Sequence, residues 1–161
     1  MKPPFATGLG YDVHAFAAGR RLILGGVEIP SEVGLLGHSD ADVLLHAICD
    51  ALLGAAGLPD IGHYFPNTDA RWKDVSSREL LREVLKYITA AGWRVGNIDA
   101  TLIAEKPRIA PHVDAMKRNI AKDLAIDVTQ VAIKATTNER MGFVGREEGI
   151  AAMATCLLMR E

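Results

Sequence analysis

The chain has 161 residues, the length of one ordinary domain, so we expect residues 1–161 to fold around a single core. Hydrophobic residues make up 49% of the chain and charged residues 24%, a balance typical of globular proteins and not of disordered segments. The net charge of −2 excludes a broadly basic surface for nucleic acid or an anionic membrane, so an anionic ligand must be held by local groups.

Apolar periodicity and turn residues predict an alternation of strands and helices along the chain. Strands are predicted over residues 5–16, 22–29, 98–105, 128–136 and 150–159, and helices over 40–55, over 76–90 and from about residue 111 onwards. Ser76 and Glu79 have the spacing of a capping box at the start of the second helix. Because two helices connect successive strands while the early strands suggest a hairpin, we predict an α+β fold, a mixed β-sheet with helices packed on one face. The small apolar residues of the last strand place it in the centre of the sheet or against another subunit.

The sequence carries no pattern for export or membrane insertion. The apolar stretch 149–159 is too short to span a bilayer, and the first residues lack a signal or transit pattern, so we expect a cytoplasmic protein. Cys49 and Cys156 lie far apart in apolar surroundings without the paired spacing of a metal site. We expect both to be buried apolar side chains.

Asp12, His14 and His46 are the clearest candidates for metal ligands. Side chains at i and i+2 of a strand project from the same face, so Asp12 and His14 can meet one ion. His46 lies on the first predicted helix, in a stripe with Asp42 and Asp50, and could complete a ligand set with an open position, as in catalytic zinc sites. Asp42 or Asp50 would then orient a ligand histidine. Alternatively, His46 is a buried histidine bonded to a carboxylate and Asp12 caps a turn, and spacing alone does not decide.

The start of the first predicted helix offers a place for phosphate. His38, Ser39 and Asp40 stand where free backbone N–H groups favour an anion, although Ser39 or Asp40 could equally be the N-cap. Gly8-Leu-Gly10 is not a dinucleotide fingerprint, because it lacks the third glycine and the following helix.

A second candidate for phosphate binding follows the fourth predicted strand. Thr136 and Thr137 can donate to phosphate oxygens, Glu139 can hold Mg²⁺, and the nearby glycines allow close backbone approach. Alternatively, the glycines only form a turn, and Arg146 pairs with Glu147 at the surface.

Eight short segments, distributed over essentially the whole chain, match the pattern of one known family. They are Gly10-Tyr-Asp-Val-His14, Leu24-Gly-Gly-Val27, Gly37-His-Ser-Asp-Ala-Asp-Val43, Leu45-His46, Asp60-Ile-Gly62, Phe65-Pro66, Ser77-Arg-Glu-Leu80 and Gly142-Phe-Val-Gly-Arg146. Together they resemble the 2-C-methyl-D-erythritol 2,4-cyclodiphosphate synthases. The resemblance implies a homotrimer around a three-fold axis, with active sites between neighbouring subunits. It also implies an enzyme of non-mevalonate isoprenoid biosynthesis, a phosphorus–oxygen lyase that converts 4-diphosphocytidyl-2-C-methyl-D-erythritol 2-phosphate to the 2,4-cyclodiphosphate and CMP.

The resemblance assigns metal and catalytic roles to the residues at matching positions. Zn²⁺ or another divalent metal would be held by Asp12, His14 and His46. Glu139 would carry Mg²⁺ or Mn²⁺ with the substrate diphosphate. His38 and Thr137 would stabilise the charge that develops during the reaction.

The resemblance also implies a substrate site in two parts. His38 and Ser39 would contact the substrate and stabilise the reacting phosphates. The methylerythritol phosphate end would be bound by Asp60, Ile61, Gly62, Phe65, Pro66, Asn67, Thr68 and Asp69, with Lys73 nearby. The cytidine diphosphate would be bound, from the neighbouring subunit, by Ala104, Glu105, Lys106, Pro107, Arg108, Ile109, Ala110, Thr136, Thr137, Asn138 and Glu139. Phe143 and Arg146 would lie towards the three-fold axis, where an isoprenoid diphosphate can bind in family members.

Two other functions use the same residues. A metal-dependent phosphohydrolase would activate water with the Asp and His ligands and release a linear product. A non-catalytic trimeric sensor would bind diphosphate ligands through the loop over residues 136–146 without turnover. The chain also departs from the common family pattern at Ala6, Asn67 and Arg108. At Asn67 the departure leaves open how this residue would bind the diol of the substrate.

Overall fold

The computed structural model describes residues 2–160 and contains seven strands and five α-helices. The strands are β1 (Phe5–Ala18), β2 (Leu22–Leu24), β3 (Val27–Ile29), β4 (Val33–Leu35), β5 (Arg94–Ile103), β6 (Val131–Thr136) and β7 (Gly149–Met159). The helices are α1 (Val43–Ala55), α2 (Ile61–Tyr64), α3 (Ser77–Ala90), α4 (Val113–Asp123) and α5 (Gly142–Gly145). Single turns of 3₁₀ helix cover Ala70–Trp72, Ala110–His112 and Val128–Gln130.

Five strands form one mixed sheet in the order β4-β1-β7-β5-β6. β5 and β6 are parallel and joined through α4, while the other neighbours are antiparallel. β7 lies in the centre and pairs with β1 from Ala15 opposite Gly149 to Phe5 opposite Met159. This arrangement confirms the predicted mixed α+β architecture and the central position of the last strand.

Helix α1 packs directly on the backbone of β1, because two glycines of that strand face it. A Cβ on Gly8 would lie 2.0 Å from the carbonyl oxygen of Ala51, and a Cβ on Gly10 would lie 1.8 Å from that of Ala47. No larger residue fits there without moving the helix. The Gly8-Leu-Gly10 pattern therefore permits close approach of a helix and a strand, and the next residues on the same strand face are Asp12 and His14.

The helices form the layer that covers this face of the sheet. α1 is buried along nearly its whole length, while α3 buries one stripe that includes Leu81, Val84 and Ile88. The opposite face of the sheet carries exposed apolar side chains, among them Leu9 and Met153. Within residues 2–160 no helix combines the length and apolar character needed to cross a membrane.

Two sequence predictions about early elements are corrected. The predicted strand 22–29 is the separate hairpin β2–β3, because Gly25 and Gly26 turn the chain with φ of 57° and 70°. The first helix begins at Val43 and not at residue 40, since Asp42 is its N-cap and accepts a hydrogen bond from the N–H of Leu45.

The ends of two later elements also differ from the prediction. The hydroxyl of Ser76 caps α3 by accepting from the N–H of Arg78 and does not bond that of Glu79 in the predicted capping box. The predicted strand 128–136 begins at Val131, because Asp127 and Gln130 form a capping box around one 3₁₀ turn.

Candidate functional site

Asp12, His14 and His46 meet where β1 passes beneath the second turn of α1. Asp12 Oδ2 lies 2.9 Å from His14 Nε2 and 3.0 Å from His46 Nδ1. The two histidine nitrogens are 3.1 Å apart. Among residues 2–160 this is the one group of three or more His, Cys, Asp or Glu side chains whose ligand atoms converge. The predicted ligand set is therefore assembled within a single chain.

The three groups fit a divalent metal. A tetrahedral zinc with bonds of about 2.0–2.1 Å holds its ligand atoms about 3.3 Å apart, close to the spacing of these three atoms. His14 Nδ1 donates to the carbonyl oxygen of Leu36 at 2.6 Å, which leaves the Nε2 lone pair facing the other two ligands. A set of one carboxylate and two imidazoles leaves a coordination position open, as catalytic metal sites require.

Electrostatics at these groups favours the anionic carboxylate. Burial acts to raise the pKa of Asp12, but its close contacts with the His14 and His46 imidazoles outweigh burial and hold that pKa well below its usual range. Burial likewise acts to lower the pKa of His14, while its contact with Asp12 reverses the shift and raises it. The carboxylate therefore supplies the negative charge that attracts a cation.

The other acidic residues of the α1 stripe do not orient the histidines, contrary to the sequence hypothesis. Asp42 accepts from the N–H groups of Gly25 and Gly26 as well as from Leu45, so it ties α1 to the β2–β3 hairpin. Asp50 Oδ1 accepts from the N–H of Ile61 at 2.9 Å and anchors the start of α2. Instead, His46 Nε2 contacts two buried hydroxyls, Ser77 Oγ at 2.9 Å and Ser39 Oγ at 3.2 Å.

His38 and Ser39 lie in the loop before α1 and not at its N-terminus, because the helix begins three residues later than predicted. His38 Nε2 lies 3.2 Å from the carbonyl oxygen of Asp69. The Arg20 guanidinium donates to the carbonyl oxygens of Leu35, at 2.6 Å, and of Ser39, at 2.7 Å. Arg20 thereby fixes both ends of the segment that carries His38.

A cavity of about 230 Å³ opens beside the three candidate ligands. Six residues predicted to bind substrate line it, namely His38, Ser39, Ile61, Gly62, Phe65 and Asn67. Gly37, Trp72 and Leu80 also line the cavity, although the sequence analysis gave none of them a role in the site. Leu80 belongs to the buried apolar stripe of α3, and Trp72 lies in a segment without helical or strand periodicity. A larger groove, about 770 Å³, lies beside Trp93 and includes none of these side chains.

The remaining residues predicted for the first half of the site are chain neighbours of residues that line the cavity, or lie close to them in the chain. Asp60 caps α2 by accepting from the N–H of His63, and the Asp69 carboxylate is engaged by Arg71. Thr68 and Lys73 are exposed, and Pro66 is half-buried. None of these five side chains lines the cavity itself.

The residues predicted to bind cytidine diphosphate form a separate cluster. Glu105 Oε1 accepts from the N–H of Asn138 at 3.0 Å and of Arg140 at 3.2 Å, which joins the loops over residues 104–110 and 136–146. Thr136, Thr137 and Glu139 are exposed at this junction, as are Arg108, Phe143 and Arg146 farther along the two loops. Glu139 is not part of the group formed by Asp12, His14 and His46. The two predicted halves of the substrate site thus occupy different places on one chain.

One ion pair at this cluster differs from the sequence alternative. Arg146 pairs with Glu148 at 2.9 Å, and Glu147 pairs with Lys106 at 3.2 Å. Glu147 adopts a left-handed backbone conformation, with φ of 58°, at the turn before β7. The loop glycines do more than form a hairpin turn, because Gly142 and Gly145 begin and end the short helix α5.

Comparisons with known proteins identify the family and the fold of this chain. The model of the YgbB family matches residues 5–159. The 2-C-methyl-D-erythritol 2,4-cyclodiphosphate synthase of Syntrophomonas wolfei is 60% identical over 152 residues, which cover 94% of this chain and 97% of the relative. Among solved structures, the Plasmodium falciparum IspF complex with CDP superposes with a TM-score of 0.87 at 34% identity, covering 100% of this chain and 99% of that one.

A second solved structure contains the same fold within a longer protein. The bifunctional IspDF of Campylobacter jejuni matches with a TM-score of 0.94 at 43% identity, over 98% of this chain and 42% of that one. Sequence identity, coverage and fold agree in these comparisons. The chain belongs to the YgbB family, and its relatives at about 60% identity are 2-C-methyl-D-erythritol 2,4-cyclodiphosphate synthases.

Proposed function

We propose that the chain converts 4-diphosphocytidyl-2-C-methyl-D-erythritol 2-phosphate to 2-C-methyl-D-erythritol 2,4-cyclodiphosphate with release of CMP. The observation that carries this function is the convergence of Asp12, His14 and His46 beside a cavity lined by His38 and Ser39. The relatives that share the whole chain length are named for this product. In this proposal, residues 1–161 form one catalytic domain that works in the cytoplasm as a phosphorus–oxygen lyase.

The reaction needs orientation and charge neutralisation more than a protein nucleophile. An oxygen of the substrate's 2-phosphate attacks the β-phosphorus of the diphosphate, and the bond to the CMP oxygen breaks, so CMP leaves with the electron pair. A bound divalent metal supplies Lewis-acid chemistry, because it withdraws electron density from phosphorus and offsets the negative charge. His38 and Ser39, which line the cavity, would donate to phosphate oxygens, and Arg20 bonds the carbonyl oxygens at both ends of their loop.

The apolar wall of the cavity suits the methylerythritol part of this substrate. Phe65 and Trp72 pack edge to face, with ring centroids 4.9 Å apart, and Leu80 lies beside them. Such a wall binds carbon and excludes water from the reacting phosphates. Holding both ends of the substrate favours the folded conformation that ring closure needs. Asp60, Pro66, Thr68, Asp69 and Lys73 would complete the proposed site for this end of the substrate.

We propose that the nucleotide half is supplied by a neighbouring subunit of a homotrimer. Its residues would be those of the second cluster, with Thr136, Thr137 and Glu139 towards the diphosphate and Mg²⁺ or Mn²⁺ on Glu139. The P. falciparum structure with CDP supports a cytidine nucleotide as ligand. Phe143 and Arg146 would lie towards the three-fold axis, where an isoprenoid diphosphate could bind.

The uncovered face of the sheet supports the trimer. Leu9 is 63% exposed, Phe5 58%, Tyr11 52% and Met153 43%, and all four project from the side opposite α1. Contiguous apolar side chains on one sheet face are typical of a protein interface. A second copy of the chain would both bury this face and bring the second cluster towards a neighbour's metal site.

Phosphorus NMR of the purified protein with zinc, magnesium and substrate tests the function. Appearance of CMP and the cyclic diphosphate in equal amounts is the expected result. CMP with a linear product would replace the proposal with the phosphohydrolase, and an unchanged spectrum from folded, metal-loaded protein would favour the sensor. The His46→Ala variant is the control for background hydrolysis.

Sedimentation velocity tests the trimer. Leu9→Lys places a charge in the exposed apolar face and should shift the protein to smaller species. Val128→Lys is the matched control, because Val128 is also an exposed apolar residue, at 40%, but lies outside the sheet. Shared sites are tested by mixing subunits of His46→Ala and Glu139→Ala, two inactive variants. Activity should return on mixing, and a mixture that stays inactive after subunit exchange would contradict a site built from two chains.

A further inference from the structure

On the side that faces away from Asp12, the His46 ring is hydrogen-bonded to a short series of polar groups. Its Nε2 lies 2.9 Å from Ser77 Oγ. Ser77 Oγ in turn lies 2.5 Å from Asp40 Oδ1. Ser77 is fully buried and His46 is 8% exposed, so water does not compete for the contact between them, while Asp40 is half-buried.

The positions of the hydrogens in this series follow from counting donors and acceptors. A serine hydroxyl has one hydrogen, and Ser77 donates it to Asp40, whose carboxylate can only accept. Ser77 Oγ must therefore accept from His46, so Nε2 carries a hydrogen. Ser39 Oγ, at 3.2 Å, does not change this result, because a bare Nε2 would face a Ser77 lone pair at 2.9 Å. A neutral His46 with hydrogen on Nε2 keeps the lone pair of Nδ1 for a cation that Asp12 and His14 would hold with it.

Asp40 is itself held in one orientation. Its Oδ2 accepts from the backbone N–H of Ser77 at 3.0 Å, and its Oδ1 also accepts from that of Asp42 at 3.2 Å. Its own N–H donates to the carbonyl oxygen of Val75 at 3.1 Å. The start of α3 and the loop before α1 are thus joined at one carboxylate, and this junction fixes the Ser77 hydroxyl.

We propose that Asp40 and Ser77 are positioning residues that hold His46 in the tautomer able to bind metal through Nδ1. The inference rests on the proposed metal site and adds two residues that touch neither metal nor substrate. Groups that bond to the far nitrogen of a metal-bound histidine typically change metal affinity by about 10–100-fold when removed. Asp40 and Ser77 therefore control how firmly the site is loaded.

Zinc affinity, measured by competition with a chromophoric chelator, tests the proposal independently of turnover. Ser77→Ala should weaken zinc binding by about 10–100-fold. Asp40→Asn should weaken it as well, because an amide that turns its NH₂ towards Ser77 lets the serine hydrogen point at Nε2. Ser76→Ala is the matched control, since this neighbouring serine caps α3 but does not touch His46. It should lower the melting temperature and leave the zinc affinity unchanged.

Imidazole nitrogen NMR of the metal-free protein, at a pH where His46 is neutral, gives the second readout. The wild-type protein should show hydrogen on Nε2 of His46, and Ser77→Ala should increase the population of the other tautomer. A folded Ser77→Ala protein that binds zinc within twofold of wild type would overturn the proposal, as would hydrogen on Nδ1 in wild type. If the wild-type chain bound no zinc, the proposed metal site would fail, while the tautomer measurement would still decide whether Ser77 orients His46.

Discussion

Replacing Gly10 by alanine probes the contact that brings the metal ligands together. The added Cβ would lie 1.8 Å from the carbonyl oxygen of Ala47, whereas ordinary contact begins at 3.4 Å, so α1 must retreat by about 1.6 Å. The obstacle is helix backbone and cannot rotate away. Overpacking of this kind lowers the free energy of unfolding by about 1–3 kcal/mol, and we expect a loss of about 3 kcal/mol here. His46 precedes Ala47 on the same helix, and a shift of this size exceeds the roughly 0.5 Å that a functional site tolerates.

Thermal unfolding and zinc competition, at one protein concentration, measure both effects. A loss of about 3 kcal/mol should lower the melting temperature of Gly10→Ala by roughly 6–12 °C, and zinc should bind at least about tenfold more weakly. Gly54→Ala is the matched control, because a Cβ on Gly54 of α1 meets nothing within 4 Å. It should be neutral or stabilising by up to about 1 kcal/mol. A Gly10→Ala protein that melts and binds zinc like wild type would refute the packing argument.

Three further substitutions test separate contacts. Asp42→Ala should lower the free energy of unfolding, measured with urea, by about 3 kcal/mol or more, because three backbone N–H groups lose their acceptor. Asp42→Asn should lower it by less, since the amide keeps one acceptor oxygen. Equal losses for the two variants would contradict this account. Arg20→Gln should slow CMP release, because it frees the loop that carries His38. Arg21→Gln, which breaks only an exposed ion pair, should not slow it. Equal effects of the two variants would show that Arg20 does not position the loop. His46→Ala should lower bound zinc, measured by elemental analysis, together with CMP release, and unchanged zinc would exclude His46 as a ligand.

Local patterns predicted the main features of the candidate metal site. Asp12 and His14 lie on the same strand face because side chains of a strand alternate with a period of two. The stripe of polar residues spaced four positions apart on α1 indicated His46 as the third candidate ligand. The same stripe misassigned Asp42 and Asp50, because both bond backbone groups of distant segments, the β2–β3 hairpin and the start of α2. Sequence spacing reports which face a side chain occupies, but not which backbone N–H will meet it.

Contacts between distant segments lay beyond the sequence patterns. Asp40 and Ser77 are 37 residues apart and meet only because α3 begins beside the loop before α1. Trp72 contributes to the cavity from a 3₁₀ turn without periodicity. For Gly8-Leu-Gly10 the sequence excluded a dinucleotide fingerprint but did not predict that Gly10 packs against the backbone of α1. Each of these roles depends on how two elements approach each other, which a single sequence does not encode in short motifs.

The most direct test of the proposed reaction is to run it in water labelled with heavy oxygen and to weigh both products by mass spectrometry. Attack by the substrate's own phosphate should leave the label out of CMP and out of the cyclic diphosphate. Incorporation of one labelled oxygen into either product during turnover would mean that water attacks phosphorus, and it would contradict intramolecular cyclisation.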